Sequence, residues 1–140
     1  MPIDVRFDDD RRLLHITVTG TWPTLPEIIA ERSRLILAGI VRKGVVELVD
    51  ARGITKGIPN LSQMQGILHA ISKPPDKRAL VVSSNVQFSA ARMAELLDPH
   101  GLRVFRDEES ALAWLFETEP EKPVKFDRTA SGRIATARNR

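Results

Sequence analysis

The sequence predicts an α/β domain of element order ββαβαβαβα: a mostly parallel five-stranded sheet, an antiparallel N-terminal edge strand and four helices. Three observations predict it. Residues Arg78–Leu115 divide into strand, helix, strand and helix with almost no spacer. Apolar runs such as Ala79–Val82 have the length and continuity of strands covered on both faces. The segments between them carry apolar residues at helical spacing, and strands alternating with such helices imply right-handed crossovers and parallel pairing.

Each element has its own signal. Ile3, Val5 and Phe7 alternate with polar residues, as a half-buried edge strand does. Asp8–Arg12 is a polar turn, and Leu14, Ile16 and Val18 alternate again up to Gly20, so the first two strands form a hairpin. Thr24 and Glu27 have capping-box spacing, with Pro26 tolerated in the first turn. Leu25, Ile28, Ile29, Leu35 and Ile36 mark one face of that first helix, which Gly39 or Gly44 ends. A third strand spans Val45–Val49, closed by Asp50, and a loop with Gly53, Gly57 and Pro59 follows. Asn60 and Gln63 repeat the capping spacing before a helix with Leu61, Met64, Leu68 and Ile71 on its apolar face. The prolines at 74 and 75 stop it. Ala79–Ser83 is the fourth strand. Ser84 and Gln87 open a third helix whose face is Ala90, Met93, Ala94 and Leu97. Leu102–Phe105 is the fifth strand. Asp107 caps a last helix to Phe116, and Glu108 and Glu109 suit its N-terminal dipole.

The totals bound the function. A chain of 140 residues is one domain with a tail, long enough to bury a core without staples. It has no cysteine, which excludes disulfides, thiolate catalysis and Cys-based metal sites. Its three His argue against a His-rich metal site. No apolar run approaches the roughly 20 residues of a membrane span. The opening MPIDVRFDDD is acidic and enters a strand, unlike a signal peptide, so a cytoplasmic protein is expected. The net charge of +3 belongs to the tail: residues 118–140 hold six bases and three acids, which leaves 15 of each in residues 1–117. That tail lacks apolar periodicity and is expected to be disordered and solubilising, with its bases too scattered for specific nucleic-acid binding.

Four runs carry a family resemblance: RALVVS from Arg78, QFSAARM from Gln87, VFRD from Val104 and ALAWL from Ala111. Together they resemble the SpoIIAA-like proteins, bacterial relatives of the sulfate-transporter and anti-sigma-factor-antagonist (STAS) domain, also compared with the Sec14-type lipid-binding fold. The element order fits over residues 1–117, and the residue match is strongest over 78–115. The resemblance implies a four-helix, five-strand domain with no known catalytic residues and no cofactor. In anti-sigma-factor antagonists, a Ser at the start of the helix after the third strand is phosphorylated, within an Asp-Ser-Ser-Gly or Asp-Ser-Thr-Gly run. This chain keeps Asp50 but then has GIPNLS over Gly57–Ser62. Ser62 is near the right helix terminus and Thr55 in the preceding loop, yet neither has the motif around it.

The candidate sites each have two readings. Open α/β sheets bind ligands at the carboxyl ends of their strands. That region would gather Asp50, Thr55, Asn60 and Ser62 with Ser83, Ser84 and Asn85, where two helix N-termini suit an anion. The same residues also serve as ordinary caps and turns. Arg92 either meets an anionic partner or pairs with Glu95 or Asp98. Trp22 is either a lid or contact on a cleft, or core beneath the first helix. Trp114 is a core anchor. His15, His69 and His100 form no triad, and Asp8–Asp10 is a turn rather than a cation site. The function expected is therefore a non-enzymatic regulatory or binding module that presents helix surfaces and strand-end loops to an unidentified protein partner. A homodimer would fit an exposed apolar helix face. The alternative is a carrier of a small apolar ligand or lipid.

Overall fold

The computed structural model describes residues 3–57, 59–71, 74–99 and 101–117, and at residues 86, 87, 90 and 93 the backbone alone. The 118–140 tail, His100, the face drawn from Ala90 and Met93, and the capping role of Gln87 lie outside what is described. The order is β1 (Ile3–Asp8), β2 (Leu13–Thr21), α1 (Leu25–Leu37), β3 (Val46–Lys56), α2 (Leu61–Ala70), β4 (Lys77–Val81), α3 (Asn85–Glu95), β5 (Leu102–Phe105) and α4 (Glu108–Leu115). The sheet order is β1-β2-β3-β4-β5. β1 is antiparallel to β2, and the remaining pairs are parallel. The result is an α/β fold with a mixed five-stranded sheet.

Successive parallel strands are added in one direction, so crossovers of one hand place their helices on one face. The packing agrees. Val18, Leu80, Leu102 and Val104 of the sheet share a core with Ile28 of α1, Met64 and Ile67 of α2, and Ala91 and Ala94 of α3. The opposite face packs Leu13, Leu48, Ala79 and Val81 against Ala111 and Leu115 of α4. Each strand's alternation decides which residues face which layer.

The helix starts follow the sequence. Thr24 and Asn60 both make reciprocal capping boxes, with Glu27 and Gln63. Asp107 accepts from Ser110 N at the start of α4. Gly39, with φ +77°, supplies the left-handed turn just past α1 that a side chain would resist.

Three expectations need correction. β3 does not close at Asp50 but runs to Lys56, so Thr55 is on a strand. The cause is the length of β2, whose Thr19, Gly20 and Thr21 need partners and find them at Gly53, Ile54 and Lys56. The apolar stripe of α1 is only partly buried: Leu35 is buried, but Leu25, Ile29 and Ile36 are exposed. Trp114 is half-buried rather than fully enclosed, lying against Phe105 with Lys77 and Arg103 over its ring.

Candidate functional site

Beneath α1 and α2, on the helix face of the sheet, lies a cavity of about 120 Å3. Ile16, Val18, Val49 and Leu80 form part of its strand wall. Ile28 and Leu35 of α1 and Met64, Ile67, Leu68 and Ile71 of α2 form the helix side, and Trp22 lies along the wall too. The indole Nε1 of Trp22 is buried with no hydrogen-bond partner. An apolar wall that holds an unsatisfied donor is a costly arrangement for an empty core, since such a group forfeits its hydration.

Four charged residues, Glu31, Arg32, Glu47 and Arg78, also line this cavity. Glu47 and Arg78 are the second residues of β3 and β4 and lie directly opposite in the register. Both are buried, and Arg78 Nε meets Glu47 Oε2 at 3.2 Å. Arg78 Nη2 also donates to the carbonyl of Ile71 at 3.0 Å. Arg32, from α1, donates through Nη1 to that same carbonyl at 3.3 Å. Desolvation lowers the Arg32 pKa from its ordinary value, with repulsion from Arg78 adding to the shift and Glu47 opposing it. Glu31 is held by Arg34. The cavity is thus apolar along its walls and charged at the end where the strands begin and α2 stops.

The residues expected at the strand ends do not converge on one site. Trp22 alone reaches the cavity. Asp50 points to the opposite face, in the same strand parity as Leu48 and across from Thr17. It accepts from Arg52 Nε at 2.9 Å and Nη2 at 2.8 Å. These hydrogen bonds hold its carboxyl below the usual carboxylate range, against partial burial. Ser83 Oγ donates to the Arg52 carbonyl at 3.3 Å, which joins it to that cluster. Thr55 Oγ1 donates to the Gly20 carbonyl. Ser62 is exposed in the first turn of α2. Ser84 accepts from Phe88 N through its carbonyl at the start of α3. Asn85 accepts from Arg106 Nη2 at 2.6 Å. Arg92 is exposed, with Nε 3.4 Å from Glu95.

On the α4 face, one imidazole nitrogen of His15 and one oxygen each of Asp50 and Glu108 lie within 4.8 Å of one another. Those three groups have the donor types a divalent metal takes. Arg52 bridges both carboxylates, however, with Nη2 2.8 Å from Asp50 and 3.5 Å from Glu108, so a cation there meets a positive charge already seated. The residues that sequence reasoning missed are Arg32, Glu47 and Arg78. A single acid or base at the edge of an apolar strand looks like a flank. Only the strand register brings the last two together.

No family model matches the chain, and no curated protein matches it. Among solved structures it is similar to an uncharacterised protein of the DUF3478 family from Shewanella loihica PV-4, described as having a SpoIIAA-like fold. That likeness has 19% identity and a TM-score of 0.57, and covers 81% of this chain and 91% of the other. The fold is SpoIIAA-like, as the motifs over 78–115 indicate. No helix among the described residues is long and apolar enough to cross a membrane.

Proposed function

We propose that this protein is a non-enzymatic binding module that takes up one small, mainly apolar molecule in the cavity beneath α1 and α2. The observation that carries this reading is the cavity itself, apolar-walled and charged at one end. Small-molecule sites have that make-up, with a few placed polar groups among hydrophobic walls. Size narrows the occupant. Pockets for drug-sized ligands run to roughly 300–1,000 Å3, whereas a cavity of roughly 150 Å3 holds a benzene ring. At about 120 Å3 this one suits a single ring or a short branched chain rather than a long-chain lipid. The test is thermal stability with benzyl alcohol as probe, on the parent chain and on Leu68→Trp, which fills the cavity. The parent should gain melting temperature with probe concentration, and Leu68→Trp should not. No gain in the parent, or an equal gain in both, would defeat the reading.

A second reading, a regulatory module for a protein partner, is favoured by a separate observation. Leu25, Ile29 and Ile36 recur along one side of α1 and are all about two-fifths exposed. Leu96, just past α3, is 79% exposed. Single exposed apolar residues need no explanation, but a helical stripe of three resembles a docking face. If the partner is a second copy, sedimentation should show a dimer that Ile29→Asp dissociates. A monomer at all concentrations would remove that version of the reading.

A further inference from the structure

We infer that the cavity ligand is a small neutral molecule with a hydrogen-bond acceptor and no donor, a cyclic or short branched ketone, ester or ether, whose oxygen accepts from the indole Nε1 of Trp22. This rests on the cavity reading above and adds the polarity and orientation of the ligand.

An indole N–H donates and cannot accept. Trp22 lines the cavity, and its Nε1 is buried without a partner among the described residues. The charged groups of the cavity are engaged elsewhere: Glu47 with Arg78, Glu31 with Arg34, and both Arg32 and Arg78 with the Ile71 carbonyl. They also belong to the other end of the sheet. Glu47 and Arg78 lie near the amino ends of β3 and β4, whereas Trp22 follows the carboxyl end of β2, which is parallel to β3. A buried donor left unmade costs the full desolvation of that group. Water is a poor remedy, because a buried water keeps about three hydrogen bonds and an apolar wall with a single donor offers it one. An acceptor carried on an apolar body satisfies the donor and leaves the walls dry.

The same walls restrict what else the ligand carries. A hydroxyl would bring a donor of its own into apolar surroundings and forfeit much of what its oxygen gains. A carboxylate would bury a full charge against one neutral N–H, at a far higher cost. Trp22 is also a fixed donor. Its backbone N donates to the Lys56 carbonyl at 2.9 Å, which ties it to the end of the β2–β3 ladder. Pro23 and Thr24, the cap of α1, follow directly. On the strand side a Cβ at Gly57 would lie 3.4 Å from Trp22 Cβ, so the chain packs closely there. A donor held from both sides loses little freedom when a ligand arrives. It sets the ligand's direction, with the oxygen toward Trp22 and the ring or branch toward the apolar side chains of α1 and α2.

The experiment titrates the 15N-labelled full chain with three rings of similar size: cyclohexanone, with an acceptor alone; cyclohexanol, with acceptor and donor; and cyclohexene, with neither. The chain has two tryptophans, so the indole N–H signal that remains in Trp114→Phe is that of Trp22. Cyclohexanone should bind the parent chain and move the Trp22 signal downfield while the Trp114 signal stays. Cyclohexene should bind without that downfield shift. Cyclohexanol should bind roughly three- to tenfold more weakly than the ketone, the scale of one neutral hydrogen bond. In Trp22→Phe, cyclohexanone affinity should fall by a similar roughly three- to tenfold while cyclohexene affinity holds, which with circular dichroism controls for folding. A Trp22 signal unmoved by bound cyclohexanone, or equal losses of ketone and cyclohexene in a folded Trp22→Phe, overturns the seat at Trp22 and leaves the cavity reading standing. Cyclohexanol bound as tightly as the ketone overturns the exclusion of a donor. Binding of none of the three overturns both readings.

Discussion

Removing Glu47 should damage this fold more than removing Arg78, although the two form one ion pair. Both side chains are under 10% exposed and meet at 3.2 Å. Breaking such a pair on one side leaves a buried charge alone, at a cost of about 3–5 kcal/mol. The surroundings make the two halves unequal. Glu47→Leu leaves Arg78 and Arg32 facing each other with the Ile71 carbonyl between them, so its cost belongs near 5 kcal/mol. Arg78→Met leaves Glu47 with Arg32 still close enough to attract it, so its cost belongs near 3 kcal/mol. The double variant exchanges the pair for apolar contact and should lie within about 2 kcal/mol of the parent, a coupling of several kcal/mol. The assay is urea unfolding at pH 7 followed by circular dichroism. Added salt should change little, since a buried pair is poorly screened. In a chain of this size the Glu47→Leu loss corresponds to a melting temperature lower by roughly 15–20 °C. A cost below about 1 kcal/mol for Glu47→Leu, or a larger cost for Arg78→Met, would refute the assignment of Arg32 to the same electrostatic group.

Three further outcomes follow from the same geometry. Asp50 has a lowered folded-state pKa, chiefly through its hydrogen bonds with Arg52. A depressed carboxyl contributes stability above its unfolded value, near pH 3.9, and loses it as pH falls through the folded value. Asp50→Asn should therefore be less stable than the parent at pH 5–7 and converge with it in strong acid, and parallel curves down to pH 2 would contradict this. Trp114→Ala should cost about 2–3 kcal/mol in urea unfolding, less than the roughly 3–5 kcal/mol of an enclosed aromatic, because Trp114 is half-buried. A cost at the full value would show that the ring is enclosed in solution. Thr24→Ala and Asn60→Ala should each cost about 1 kcal/mol, because each removes a side chain that accepts from the N3 amide. Near-zero values for both would show that the capping boxes are not formed in solution.

Element order was legible because each signal was local. Thr24 with Glu27 and Asn60 with Gln63 announce helix starts within four residues, and both form as the spacing indicates. The edge hairpin followed from alternation in Ile3–Phe7 and Leu14–Val18. The end of β3 was not legible. Asp50, Gly53 and Gly57 carry turn chemistry, yet β2 is long enough to hold this stretch in the ladder with bulges. A strand's length depends on its partner, and no local window contains that partner.

The site was lost to a similar cause. Strand residues alternate between faces, so residues near one another at the same end of a sheet belong to different layers. Asp50 and Glu47 are three residues apart on β3 and end up on opposite faces. Asp50 joins Arg52 on the α4 side, while Glu47 is buried beneath α1 and α2. Grouping residues by loop therefore joined what the pleat separates. Grouping them by parity recovers the observed site. With Leu14 and Ile16 assigned to the helix layer, pairing in register puts Glu47 and Val49 beside them, and then Arg78 and Leu80, while Val18, Ala51 and Val82 join the same buried cluster further along. That row is apolar except for one acid and one base directly opposite each other. Such a pair inside a buried layer is the feature of this chain that most needs a reason. The third charge, Arg32, comes from a helix that no strand register can place. The cavity it completes is therefore a property of the packed layers, visible only once α1 lies over the sheet.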